Sequence, residues 1–278
     1  MTTDNMDIFI FVPTSIIVFA LGAAIGSFIN VVVYRLPAGL SLLWPPSRCP
    51  HCLNQLKAYD NVPVFGWLWL KGKCRYCHSK ISRRYPVVEA ITGIIFLIVF
   101  SVFQFSILTI GYWAFCSWLL ALSLIDWDTM ILPGPLTKSG LVLGLVFQMV
   151  VGFLTETSWV GLVKHLIFGI AGAVVGLWLF DSISILGSLA FGKAVMGAGD
   201  AKLAAMMGAW LGWKHLLIAS FMACCLGVLV GGGAIILSRH KMGQKMPFGP
   251  FLALGAVIAV FSGEAILSYY LRLVLPVS

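Results

Sequence analysis

The chain is built from long uncharged runs separated by short polar breaks. Residues 8–34 contain no Lys, Arg, Asp or Glu, and neither do residues 90–125. A helix crossing the hydrocarbon core of a bilayer needs about 20 apolar residues, so the first run is one crossing and the second is long enough for two. Residues 136–154 give a fourth, interrupted only by Lys138, and a fifth runs from about 162 to 185 with Asp181 inside it. Between Lys202 and Lys214 lies a shorter apolar stretch, 203–213, which crosses only if its flanking lysines snorkel to the two interfaces. Residues 215–238 make a seventh, and 248–271, carrying Glu264, an eighth. The pattern predicts an all-α polytopic membrane protein of about eight transmembrane helices.

Orientation follows from the basic residues, because short cytoplasmic loops retain Lys and Arg. The stretch from Arg35 to Arg84 holds nine of the 18 (Arg35, Arg48, Lys57, Lys71, Lys73, Arg75, Lys80, Arg83, Arg84) against one acid, Asp60. It is expected on the cytoplasmic side. Arg239, Lys241 and Lys245 return to that side only if the 203–213 stretch crosses. The amino terminus begins MTTDNMD, has no basic residue before the first span and does not read as a secretory signal peptide; it is expected outside and uncleaved. The expected organisation is therefore a first transmembrane helix over 1–34, a cytoplasmic loop over 35–85 and a seven-helix core over 86–278.

Composition agrees: 60% of the 278 residues are hydrophobic and 10% charged, against roughly 25% charged in a soluble domain. The net charge of +8 is matched by the excess in the Arg35–Arg84 loop alone. It suggests contact with anionic lipid headgroups and calls for no nucleic acid. The 10 Trp and 19 Phe suit membrane interfaces and apolar bundles.

The basic loop carries CPHC at Cys49–Cys52 and CRYC at Cys74–Cys77. Two CxxC pairs at this separation predict a zinc-ribbon-like loop in which Cys49, Cys52, Cys74 and Cys77 hold one zinc ion. So short a loop has too little core to fold alone, and the metal would supply the folding energy. The competing reading is redox chemistry or disulfides, which a reducing compartment disfavours. His51 and His78 lie beside the thiols as alternative ligands; Cys116, Cys224 and Cys225 read as core residues of apolar spans.

Acids in or beside membrane spans are costly and mark function. Asp126 and Asp128 end the third span in LIDWDTMILP, and Asp200 begins the sixth in MGAGDAKL. Two carboxylates brought to within about 3 Å share one proton and can activate a water against a peptide carbonyl, the chemistry of an aspartic protease. Gly197 and Gly199 permit tight turns and close backbone approach beside Asp200; the plainer alternative is a loop with an Asp helix cap. Asp181 and Glu264 read as buried acids or as partners of a lysine such as Lys164. Glu89 reads either as functional or as a helix-start acid interacting with the dipole and with Arg83 or Arg84.

Several motifs in one order resemble the prepilin leader peptidases, bifunctional GxGD-type membrane aspartic proteases. They are GSFINVVVYRLP (26–37), the two CxxC pairs, RRYPVVEA (83–90), Asp126 ahead of Leu132-Pro133, GAGDAKL (197–203) and PFGPFLALG (247–255). The chain departs from many members at Gly134, where they carry Asp. The resemblance implies catalysis by Asp126 and Asp200, support of the catalytic loop from Gly197, Gly199 and Lys202, and Asp128 as a neighbour. It implies cleavage of type IV prepilins and type II secretion pseudopilins, whose short basic leaders precede an apolar helix, at the cytoplasmic face of a bacterial inner membrane. It also implies methylation of the new amino terminus from S-adenosylmethionine, for which Glu89 and the cysteine loop are the candidate locations. Two rival classes, a transporter using its acids as a proton relay and a zinc-loop scaffold without protease activity, fit less of the pattern: no internal repeat stands out, and a scaffold leaves the GxGD unexplained.

Overall fold

The computed structural model describes residues 3–192, 196–237 and 246–274. These form α1 (Thr3–Arg35), a 3-10 turn (Ala58–Asn61), α2 (Phe65–Trp69), α3 (Arg84–Phe103), α4 (Ile107–Thr129), α5 (Gly134–Glu156), α6 (Trp159–Phe191), α7 (Ala198–Ile236) and α8 (Gly249–Val274). Among the described residues seven helices, all but α2, are long and apolar enough to cross a membrane. The chain is a multi-pass membrane protein. It divides into two compact units, Met1–Ser117 and Trp118–Ser278, with the boundary inside α4.

Lipid tails give no hydrophobic drive between helices, so small residues that allow close backbone approach decide which helices pair. In the first unit Gly22 and Gly26 of α1 face α3: a Cβ on either would sit 2.8 Å from the Cα of Gly93 or Glu89 respectively. Val18, Phe96 and Phe100 are buried beside this crossing. Trp113 of α4 stacks on Phe96 at 4.9 Å and donates its indole N–H to the Phe96 carbonyl at 2.9 Å.

In the second unit the expected sixth helix, 203–213, is not a separate element but the first leg of α7. Gly212 takes φ 71° and ψ 171°, outside helical values, a conformation open to glycine alone at little cost. The legs on either side, 198–211 and 213–236, run in opposite directions. The first leg packs antiparallel on α6, with Gly176 against Ala204 and Gly172 against Gly208. The second packs antiparallel on α8, with Gly263 against His215, Gly255 against Ala219 and Phe248 against Gly227. The seven helices thus contain the eight legs expected from the hydrophobic pattern, the short leg being about 21 Å long at ~1.5 Å per residue. The break leaves carbonyls without helical partners. Gln148 of α5 serves one of them, donating from Nε2 to the Trp210 carbonyl at 2.7 Å, while the Trp210 indole donates to the Gly140 carbonyl at 2.8 Å. The expected basic segment at Arg239, Lys241 and Lys245 lies outside the described residues.

Gly172 and Gly208 each lie against the other's carbonyl, with no room for a side chain. Gly208→Val therefore separates α6 from α7 and is expected to cost about 1–3 kcal/mol, read as a lower melting temperature in detergent. Gly231→Val, where a Cβ meets nothing within 4 Å, leaves the melting temperature unchanged.

Candidate functional site

Asp126 lies in the last turn of α4 and Asp200 in the first turn of α7, and both are buried. They lie at one end of the second unit, where Leu132, beyond Asp126, packs on Gly199, the neighbour of Asp200. The local sequence explains how. Past Asp126 the helix closes, with Met130 at φ 54° donating its N–H to the Asp126 carbonyl at 2.8 Å. Leu132 is then buried under the turn that begins α7: a Cβ on Gly199 would come within 3.0 Å of the Leu132 Cβ. The second glycine of GAGD is thus needed for close approach of the loop that follows Asp126. Gly197 meets only its own loop, and its carbonyl accepts the Asp200 N–H at 3.1 Å.

A third element reaches the pair. Gly249, the first residue of α8, donates its backbone N–H to Asp126 Oδ2 at 2.8 Å. Carboxylates are favoured at helix N-termini by the unpaired amides and the dipole. The PFGP run of 247–250 places this amide: Pro250 sits where a missing N–H costs nothing, and glycine at 249 is required because a Cβ would lie 2.7 Å from Asp126 Oδ2. PFGP was visible in the sequence as a motif, but nothing local tied it to Asp126. Asp128 and Lys202 are exposed. The other acids fall elsewhere: Lys164 pairs with Glu156 at 2.8 Å, away from Asp181, and Glu264 lies 3.3 Å from His215.

The four cysteines of the first unit converge, their sulfurs all lying within 4.8 Å of one another. The two CxxC turns are copies of one design. Leu53 donates its N–H to the Cys49 carbonyl at 2.9 Å and His78 to the Cys74 carbonyl at 3.0 Å, each with φ near 57°. Bridges Arg48–Gln55 and Lys73–Lys80 close them at matching positions. Sulfurs about 2.3 Å from a tetrahedral zinc stand about 3.8 Å apart; Cys49–Cys77 and Cys52–Cys74 are separated by 3.7 and 3.9 Å. Four thiols in this geometry can hold a metal ion, and His51 and His78 are not part of the cluster. Behind the second turn, Arg75 donates from Nε to both carboxylate oxygens of Asp60 at 3.1 Å. This bond holds the Asp60 carboxyl below the usual range.

Glu89 is buried on α3 and does not pair with Arg83 or Arg84 as a helix-start acid would. Its Oε2 accepts the N–H of Val64, a residue at φ 63°, at 2.7 Å. A long-range contact of this kind leaves no trace in local sequence. Glu89 lines a cavity of about 850 Å³ between the cysteine loop and the ends of α1 and α3.

Residues 20–103 match the bacterial peptidase A24 N-terminal domain and residues 113–232 the type IV leader peptidase family. A prepilin leader peptidase/N-methyltransferase of Aeromonas hydrophila is 36% identical over 279 residues, covering 92% of this chain and 93% of its own length. Proteins of the same name from Stutzerimonas stutzeri (36% identical, covering 91% and 92%) and Legionella pneumophila (33%, covering 92% and 94%) align equally far. No solved structure matches the chain. On these matches, which span nearly the whole of it, the chain belongs to the type IV leader peptidase family.

Proposed function

We propose that the protein cleaves the leader peptides of type IV prepilins and type II secretion pseudopilins and methylates the amino terminus that cleavage exposes. The first activity is supported by two buried carboxylates, Asp126 and Asp200, on separate helices whose ends pack together where Leu132 lies against Gly199. The basic Arg35–Arg84 loop puts that end at the cytoplasmic face of a bacterial inner membrane, with 1–34 as the first crossing from an external amino terminus, 35–85 as the cytoplasmic zinc loop and 86–278 as the protease core. There a substrate's apolar helix lies among the spans while its leader remains in water.

The pair holds one proton and a water between its two carboxyl groups. One carboxylate takes a proton from the water as the oxygen attacks the scissile carbonyl carbon, and the other carboxyl gives its proton to the carbonyl oxygen. As the tetrahedral diol collapses, the C–N bond breaks, its nitrogen takes the proton from the first carboxyl, and one diol hydroxyl gives its proton to the second carboxylate as the carbonyl re-forms, returning the pair to its starting state. Gly197 and Gly199 shape the turn that carries Asp200, Lys202 supports it from the exposed face, and the Gly249 amide fixes the plane of the Asp126 carboxyl.

Cys49, Cys52, Cys74 and Cys77 hold a structural zinc, which supplies a fixed fold to the loop. Methyl transfer belongs to the first unit, with Glu89 at its candidate site. S-adenosylmethionine supplies a methyl group that passes from its sulfonium sulfur to the amine nitrogen as that nitrogen loses a proton. Incubating the purified protein with a prepilin and this donor, then reading the product by mass spectrometry, tests both activities. The expected product begins at the apolar segment and carries one added methyl. An uncut prepilin overturns the first activity, and a cut but unmethylated one overturns the second.

Gly249→Ala is expected to lower cleavage about 10²-fold at unchanged melting temperature, because displacement of a reacting group by about 1 Å costs that much. Initial rates of leader release check it.

A further inference from the structure

We infer that α2 is an interfacial anchor that seats the cysteine loop on the bilayer, with Phe65, Leu68 and Trp69 in lipid and Lys71 and Lys73 on anionic headgroups. The three apolar residues stand at i, i+3 and i+4 and so share one face of the helix. They are 66%, 55% and 81% exposed. The other face is held inside the loop: Gly66 lies against the Asp60 carbonyl with no room for a side chain, and the Trp67 indole donates to the Ile81 carbonyl at 3.2 Å. A contiguous exposed patch of large apolar side chains marks an interaction surface.

The depth of α2 says what covers this face. Val64, the residue before the helix, donates its N–H to Glu89 Oε2 at 2.7 Å. Glu89 is five residues inside α3, whose apolar span begins at Arg84, so its Cα lies about 7.5 Å from that end at ~1.5 Å per residue. On α1 the same level is marked by Gly26, where a Cβ would meet the Glu89 Cα, nine residues short of the end of that span at Arg35. Both spans thus continue past the point that anchors α2. A short helix held at this level meets the boundary of headgroups and acyl chains, where Trp, Phe and Leu suit the apolar face and Lys the polar side. Lys71 and Lys73 directly follow the helix, are exposed and form no ion pair among the described residues. Anionic headgroups supply their counter-charge. A protein partner would also bury the patch, but the leaflet already lies at this depth. The seat is passed to the cysteines through Asp60, whose carbonyl lies against Gly66 of α2 and whose carboxylate accepts from Arg75 of the second CxxC turn.

The test is tryptophan emission of the full chain in nanodiscs of phosphatidylcholine and phosphatidylglycerol, comparing the parent with Trp69→Phe. Emission is quenched either by bromine on the acyl chains or by iodide in the water. The variant is expected to lose part of the emission that bromolipid quenches and none of that which iodide quenches, with bound zinc unchanged. Loss of the iodide-quenched part instead would place the helix in water, and no loss from either would place it against protein; each of these outcomes overturns the inference. The headgroup contact is read separately, by chymotrypsin cleavage at residues 65–69. In the parent, cleavage is expected to be about tenfold slower in discs containing phosphatidylglycerol than in discs of phosphatidylcholine alone, given two lysines at an anionic surface. Lys71→Gln combined with Lys73→Gln should remove that difference and leave the zinc in place. Equal rates for the parent in the two lipids, or an undiminished difference in the double variant, would overturn the assignment of the lysines.

Discussion

Asp126→Asn and Asp200→Asn each lower prepilin cleavage by at least about 10³-fold, within the range carried by a positioned acid or base, with bound zinc and melting temperature unchanged. An amide is nearly the size of a carboxyl, so neither change opens a void. In Asp126→Asn the amide oxygen can still accept the Gly249 N–H, whose bond to Oδ2 is 2.8 Å long. What each variant loses is the ability to pass a proton, and a pair that works by holding one proton between two carboxyl groups has no function with one of them. The double variant is therefore expected to be no worse than either single one, since residues acting as a unit are not additive. Asp128→Asn keeps most of the activity, because Asp128 is exposed and sits two residues from Asp126 on the same helix, on a different face. Initial rates of leader release in detergent measure all four variants. Full activity in either single variant would remove that aspartate from the pair.

Elements set by periodicity and charge were legible in the sequence; contacts that join distant segments were not. Uncharged runs located every long helix because a bilayer requires each span to be apolar and internally hydrogen-bonded. The short 203–213 leg was legible only through the sidedness of the basic loops. Its structural form, a reversal at Gly212 inside one helical run, depends on packing against α6 and α8. The CxxC spacing pointed to the four sulfurs because a metal dictates ligand spacing along the chain. Glu89 was different: helix-dipole logic pointed to Arg83 or Arg84, yet the side chain reaches Val64, 25 residues away. The amide of Gly249 that meets Asp126 lies 123 residues along the chain from it. No propensity or motif spacing encodes either pair.

Cys74→Ser is expected to take the protein from one bound zinc per chain to none and to open the loop to proteolysis within residues 36–83. The loop's regular structure is a single 3-10 turn, the five-residue α2 and two isolated bridges, and most of its large apolar side chains, Leu43, Leu53 and Trp69 among them, are exposed. Little apolar burial is left to offset the entropy of ordering it, whereas structural zinc contributes on the order of 10 kcal/mol to folding in comparably small units. Cys74 is 1% exposed, and the other three sulfurs cannot complete a closed tetrahedral set without it. Glu89, at the candidate methyl-transfer site, leans on this loop through Val64, so methyl transfer should vanish with the metal. The second unit packs through its own glycine contacts, and leader cleavage should fall by less than methyl transfer. Cys116→Ser, in a buried cysteine of α4, should leave the zinc content at the parent value. Metal analysis of the purified variants, with limited proteolysis read by mass spectrometry, measures these effects together. Unchanged zinc in Cys74→Ser would show that the cluster is not the metal site, and disulfides recovered between the four cysteines from reducing conditions would favour redox chemistry in its place.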